Sequence, residues 1–319
     1  MRILIFRENL KTLVEFVQTP YFTDENVAKE QGIIGQEIRM YDDSPGWRVM
    51  FNMLLAMYHN HPVRIDIAGT VESIAKIDYN LLYKCYNTFY NPSNMFICIA
   101  GNVDTEKVLK QIEENIKPSE NIEIERIMSE EPKEVVKNYV EQKLAVAQPM
   151  FCFGYKGETD KPIKSVKDKI CTALLIEIIA GDASPLYKRL VNEGLINDEF
   201  SSEHFNGFGY SSVIFEGESS NPLKVAEEIK AEVARLKEEG IDKKLFSAIR
   251  CGMYGNAIRL FNNVESIAMQ LVDCAMNDTE LFDDIKYLKS VTIDDVTKRL
   301  AELDNERTVL SVINPLEEV

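Results

Sequence analysis

The sequence predicts an α+β fold built from two related parts, the first of them incomplete. Three observations carry that reading. Apolar residues recur at helical spacing through most of the chain. Short β-rich runs stand between them, at 95–100, 139–155, 210–215 and 308–313. Segments near the two ends also share a pattern. Ile74, Ile77, Leu82 and Tyr86, followed by the run 95–100, align without a gap on Leu288, Val291, Val296 and Leu300, followed by 309–314. The offset is 214 residues, and Trp47 falls on Phe261 at the same offset.

The elements follow in order. Residues 8–17 place Leu10, Leu13, Val14 and Val17 on one helical face and stop before Pro20. Thr23 is a helix cap, and 23–41 continues as a longer helix through Gly32 and Gly35. A third helix, 45–58, has proline in its first turn and carries Trp47, Met50, Phe51, Leu54 and Leu55. Residues 59–62 form a loop. Helical segments are read at 70–74, 79–89 and 105–116, around a buried strand at 95–100 that is closed by Gly101. Between 117 and 137 glutamates dominate, with Pro118 and Pro132, and this reads as a solvated linker. A strand at 139–155 and an apolar helix at 163–180 follow. Next come a short helix at Pro185–Asn192 and a strand pair at 200–204 and 210–215. Helices at 223–238, 243–260, 264–276, 280–288 and 294–303 lead to a last strand at 308–313.

At 319 residues, 45% hydrophobic and 28% charged, the chain has globular composition and room for about two domains. The division expected is 1–117, a linker at 118–134, and 135–319. A net charge of −16 argues against nucleic acid or an anionic membrane as partner, and favours cationic peptides. No uninterrupted apolar run approaches the ~18 residues of a membrane span. The first residues lack the ~7–15-residue apolar core of a signal peptide. The six cysteines include no CxxC pair and read as buried thiols of a reducing compartment, so a cytoplasmic location is expected.

The repeat carries a consequence. With the second copy starting near 135, the first would start roughly 80 residues before Met1. The front part is then expected to lack its opening strands and first helix. On pattern alone the duplication stays open. Phosphate-loop, dinucleotide and nucleophile-elbow motifs are absent, as are HExxH and HxxEH. His59 and His61 read as loop residues bonded locally, and His204 is the third histidine. One acidic pair stands out. Glu30 and Glu37 lie seven residues apart, two helical turns, on one face beside Gly32, Ile33, Ile34 and Gly35. Such a pair could support a metal or simply line a solvated helix face.

These residues carry a resemblance. The stretches EQGIIGQEIRMYDDSP at 30–45, HPVRIDIAGT at 61–70 and YNPSNMFICIAG at 90–101 resemble the insulinase/pitrilysin family of zinc metallopeptidases. The match is closest to its bacterial cytosolic members of half-insulinase size. The stretch 181–200, with Ser184, Pro185, Arg189 and Ile196, fits too, so the resemblance spans essentially the whole chain.

It implies duplicated α+β domains with antiparallel sheets flanked by helices, which enclose a chamber for peptide substrates. It implies a zinc site in which HxxEH supplies two histidines and a general base, and a later glutamate supplies the third ligand. Glu37 matches that ligand, and Glu30 matches the supporting acid before it. Arg189 matches a substrate-binding arginine, but Ile196 stands where the family often has a tyrosine. HxxEH is missing, so the resemblance implies a truncated zinc peptidase, inactive as written, with 1–117 as the rest of the zinc-site domain and 135–319 as a second, non-metal-binding domain. No zinc is expected to bind stably to this chain. The alternative is a non-catalytic partner subunit that positions peptides for an active relative. Either way a homo- or hetero-oligomer, such as a dimer with another family chain, is expected.

Overall fold

The computed structural model describes residues 2–158 and 165–316. In chain order the helices are α1 (Arg2–Val17), α2 (Asp24–Asp42), α3 (Pro45–Met57), α4 (Val71–Ile74), α5 (Tyr79–Phe89) and α6 (Thr105–Asn115). After the sequence crosses to its strand-rich part come α7 (Val166–Ala180), α8 (Pro185–Asn192), α9 (Pro222–Glu239), α10 (Lys243–Arg259), α11 (Val264–Asn277), α12 (Asp283–Ser290) and α13 (Ile293–Ala301). The strands are β1 (Tyr139–Leu144), β2 (Met150–Lys156), β3 (Ser201–Gly207), β4 (Tyr210–Glu218) and β5 (Thr308–Pro315). Of the helix expected at 163–180, residues 163 and 164 lie outside the described residues.

Contacts divide the chain into two compact units, and neither is one continuous stretch. The first comprises Met1–Ile38, Ala68–Ile127 and Leu260–Thr279, and the second comprises Arg39–Ile67, Met128–Arg259 and Glu280–Val319. These units cross the sequential division expected at 118–134. The physical reason is hydrophobic. α3 buries its apolar face on the sheet of the second unit rather than with its sequence neighbours.

That sheet has the order β1-β5-β2-β4-β3. It is mixed, not purely antiparallel as expected, because β1 runs parallel to β5. The single strand expected at 139–155 is two, interrupted before Pro149, and β5 lies between them. Alternation sends Phe151, Phe153 and Tyr155 of β2, Val213 and Phe215 of β4, and Leu310 and Val312 of β5 into one face. There they join α7, α8, α9, α12 and α13 in the main core. α7 is apolar nearly all round, with Ile170, Leu174, Leu175, Ile178 and Ile179 buried. By length and composition, Val166–Asn192 is apolar enough to cross a membrane. Here it is α7 and α8, mostly buried in this core.

The other face presents Cys152, Gly154, Ile214, Val309 and Ile313, and α3 covers it. Ser44 precedes α3 and Pro45 occupies its first turn. Met53, Met57 and Tyr58 are fully buried beneath it. A Cβ on Gly154 would sit 2.8 Å from Met57 Cε and 2.9 Å from Met53 Sδ, so the bare backbone lets the two methionines lie against β2. The Tyr58 hydroxyl donates to the Ser211 carbonyl at 3.1 Å, and Asn52 Nδ2 donates to Gln142 Oε1 at 2.8 Å.

The first unit is helical among the described residues. Its buried apolar side chains are Leu10, Val14, Val27, Ile38 and Cys274. Polar tethers supplement that small core. Tyr86 Oη donates to the Val17 carbonyl at 2.6 Å, and Gln31 Nε2 donates to the Ile77 carbonyl at 2.8 Å. The buried strand expected at 95–100 is not formed. The segment pairs with no strand among the described residues, and Phe96 and Ile97 are exposed. A strand needs a neighbouring strand to hydrogen-bond, and none is described beside this one.

Truncating Met53 to Ala removes the side chain wedged between α3 and β2, and about 2–5 kcal/mol of stability should go with it. The same change at exposed Met269 of α11 should stay within about 0.5 kcal/mol. Urea denaturation of both variants measures the contrast.

Candidate functional site

The Glu30–Glu37 pair rests on α2. Thr23 and Asn26 start that helix by bonding each other: Asn26 Oδ1 accepts from the Thr23 N–H at 2.8 Å, and Thr23 Oγ1 accepts from the Asn26 N–H at 3.2 Å. Val27, Gly35 and Ile38 face inward. Glu30 and Glu37 lie on the opposite, exposed face with Ile33 and Met40. Neither carboxylate has a hydrogen bond or ion pair among the described residues. Ile33 and Met40, beside them on α2, are also exposed, so this face is open.

Two exposed carboxylates attract cations but do not hold one selectively. A zinc centre of the catalytic kind takes three protein ligands, usually with imidazole among them. No three His, Cys, Asp or Glu side chains among the described residues are placed to share a metal. Glu37 with Glu30 therefore does not fit a self-contained zinc centre.

Arg189 sits in the last turn of α8, which Ser184 caps by accepting from the Tyr187 N–H at 3.1 Å. Its Nη2 donates to Glu228 Oε2 of α9 at 2.7 Å. The guanidinium is half exposed but already has an anionic partner. Ile196, seven residues on, is a buried core residue, and Tyr187 packs 6.1 Å from Phe200. A substrate group would have to compete with Glu228 for Arg189.

The structure also shows a polar constellation that the sequence conceals. Glu131, in the segment read as solvated linker, is buried with its side chain 3% exposed. Its Oε1 accepts from Lys156 Nζ at 2.6 Å and the His59 N–H at 2.8 Å; its Oε2 accepts from the N–H groups of Asn60 at 2.7 Å and His61 at 2.8 Å. Three successive amides thus converge on one carboxylate, a nest. Lys156 Nζ also donates to the Glu134 carbonyl at 2.9 Å and lies 5.0 Å from the Tyr58 ring. Burial alone would raise the Glu131 pKa. Lys156 and the three amides outweigh it and hold the carboxyl at about 2. Burial lowers the Lys156 pKa, and Glu131 offsets this only in part. The histidines are placed by their loop: His61 Nδ1 accepts from the Val63 N–H at 3.0 Å, and Nε2 lies 2.9 Å from the Phe208 carbonyl.

The family model described as the peptidase M16 inactive domain matches residues 76–252. The uncharacterized zinc protease YmfH of Bacillus subtilis is 40% identical over 299 residues, covering 92% of this chain and 70% of that protein. A second B. subtilis zinc protease, YmxG, is 25% identical over 303 residues, covering 92% of this chain and 72% of its own length. A solved structure described as an M16-like peptidase from Alicyclobacillus acidocaldarius superposes with a TM-score of 0.93 at 33% identity, covering 98% of this chain and 75% of that one. The chain belongs to the M16 peptidase family, the insulinase-type group that its sequence resembles.

Glu131→Gln keeps the shape of the nest's occupant and removes its charge. At pH 7 this should cost about 1.5–3 kcal/mol of unfolding free energy. Because the folded pKa is depressed, the carboxylate's contribution is complete above its ordinary value of 4.5 and is lost as pH falls through about 2. Denaturation curves of the two proteins should therefore converge between pH 5 and pH 2.

Proposed function

We propose that this chain is the peptide-enclosing, metal-poor portion of an insulinase-type zinc peptidase. In this reading residues 1–117 belong to the first, zinc-site domain and 135–319 form the second, non-metal-binding domain. Glu37 is the third ligand of a zinc whose two histidines and general base come from an HxxEH segment that this sequence does not contain. Glu30 supports that ligand through its shared helix face. Zinc bound there would polarise the scissile carbonyl and activate water. This chain's own part is to present Glu37 and line the chamber, with Arg189 available to a peptide group that displaces Glu228. The single observation that carries the reading is the unpartnered Glu30–Glu37 face on α2 in a chain that is 40% identical to a named zinc protease. The second reading is a non-catalytic subunit that positions peptides for an active relative, and the match of 76–252 to the family's inactive domain favours it. A cytoplasmic setting is part of the same reading; of the cysteines expected to be buried, Cys152, Cys171 and Cys274 are, whereas Cys85 and Cys251 are exposed.

Elemental analysis tests the metal assignment. After chelator treatment the chain alone should retain no stoichiometric zinc. An HxxEH-bearing segment added by fusion or in trans should restore one zinc per chain, and Glu37→Gln should then weaken it at least tenfold. Stoichiometric zinc on the chain alone would sink the proposal.

The same reading includes assembly. Phe96 and Ile97 in the unpaired segment, together with Leu13 and Phe16 on α1, leave apolar surface exposed on the first unit. Static light scattering at micromolar concentration should give a mass of at least two chains. A sharp monomer at 36.4 kDa, with both units equally protected from hydrogen exchange, is the opposing outcome.

A further inference from the structure

Sulfur is concentrated at one place in the second unit, between α3 and β2. Met50, Met53 and Met57 fall at i, i+3 and i+7, so they share one face of α3. Cys152 and Gly154 alternate onto the face of β2 that α3 covers. The side chains meet there. Cys152 Sγ donates to Met53 Sδ at 3.3 Å and lies 4.0 Å from Met50 Sδ. Cys152 and Met53 are fully buried. Met50 is half-buried and Gly46, one turn before it, is exposed, so solvent reaches the cluster from that side.

One thiol and two thioethers are soft donors, and thiolate with thioether selects Cu(I) over harder ions. A metal–sulfur bond of about 2.3 Å would set three sulfurs in a plane about 4 Å apart. The two spacings from Cys152 are 3.3 and 4.0 Å. Methionine is unbranched and adapts readily, so Met53 has only to draw back by a fraction of an ångström. Charge favours a monovalent ion. Glu216 stands opposite Cys152 in the register of β2 with β4. Burial first, then the carboxylates of Glu216 and Glu203, push the Cys152 thiol well above its ordinary range, so a bare thiolate is disfavoured. A thiolate paired with Cu(I) is neutral and suits the apolar shell of Ile214, Val309 and Ile313. A divalent ion would leave a net charge buried there.

We propose that Cys152, Met50 and Met53 form a site for one Cu(I) ion, held by one thiolate and two thioethers between α3 and β2. Binding is a displacement. The Sγ–H proton of Cys152 leaves to solvent as the sulfur–copper bond forms, and no electron is transferred. The apolar shell then keeps water from the ion. The site needs neither zinc nor Glu37, so it goes beyond the peptidase reading and stands or falls separately. Its bland counterpart is a set of soft side chains that only fills an irregular gap in the core.

The probe is Cu(I) alone, titrated without oxygen into the full chain against the chromophoric chelator bicinchoninate. Cys85, Cys98 and Cys251, which are exposed or half-buried, are first replaced by Ser so that accessible thiols do not compete. One Cu(I) per chain should bind, with a near-ultraviolet thiolate-to-copper absorption. X-ray absorption should find three sulfur neighbours at about 2.3 Å. In the same background Cys152→Ala should abolish binding. Met50→Leu and Met53→Leu, which nearly conserve core volume, should each weaken it at least tenfold, with circular dichroism confirming that each variant folds. A chain that takes no copper from the chelator overturns the proposal. So does unaltered affinity of Cys152→Ala, which would put the ion elsewhere, or of either leucine variant, which would leave the methionines as core filling alone.

Discussion

A sheet with two apolar faces must be covered on both, and this requirement organises the second unit. One face is covered by helices that lie between β2 and β5 in sequence. The other is covered by α3, which precedes β2 by roughly a hundred residues and β5 by roughly 250. Several otherwise separate features follow from this arrangement. Gly154 gives Met53 and Met57 room to lie on β2. Tyr58 ends α3 with its ring buried and its hydroxyl spent on Ser211 and Ser212. The chain that leaves α3 must then be fixed, and the amides of His59, Asn60 and His61 close on Glu131.

That closure shows how this protein accommodates a buried charge. A carboxylate taken out of water is costly unless donors replace its hydration. Glu131 receives three amides and an ammonium, and Lys156 receives Glu131 and the Glu134 carbonyl. Glu30 and Glu37 present the contrasting case. They stay in water and need no compensation. The carboxylate that is fully satisfied has a structural task. The carboxylate left in water on α2, Glu37, is the one that the proposed zinc reading uses.

The sequence makes these two classes unequally legible. Glu30 and Glu37 were visible as a helical spacing, because a seven-residue interval on a regular helix fixes their common face. Arg189 was visible only through resemblance, and the pattern contains no sign of Glu228, forty residues away in another helix. Glu131 was hidden outright. It lies in a glutamate-rich stretch where every neighbour is solvated, and its burial depends on a loop about seventy residues earlier. Helices are legible in the sequence, since period and caps are local. The strand order is not, because placing β5 between β1 and β2 is a long-range event. The break at 145–149 was signalled only by Pro149, after a polar alternation that runs into an apolar one.

The repeat shows where local information ends. Asp78 caps α5 by accepting from the Leu81 N–H, and Thr292 caps α13 by accepting from the Asp295 N–H, at the expected offset of 214. Each cap opens a helix of similar length, α5 of 11 residues and α13 of 9. Leu82 and Tyr86 correspond to Val296 and Leu300. The first two are half-buried, whereas the second two are in the core. The runs that follow diverge further, since 309–314 lies within β5 between two strands while 95–100 pairs with none among the described residues. The two segments therefore share what a dozen residues can specify by themselves: caps, helix length and an apolar stripe. They differ where the outcome depends on distant strands, which the second unit contains and which are not described around 95–100 in the first. Sheet pairing, more than helix propensity, separates a closed core from a helical unit with apolar residues still exposed.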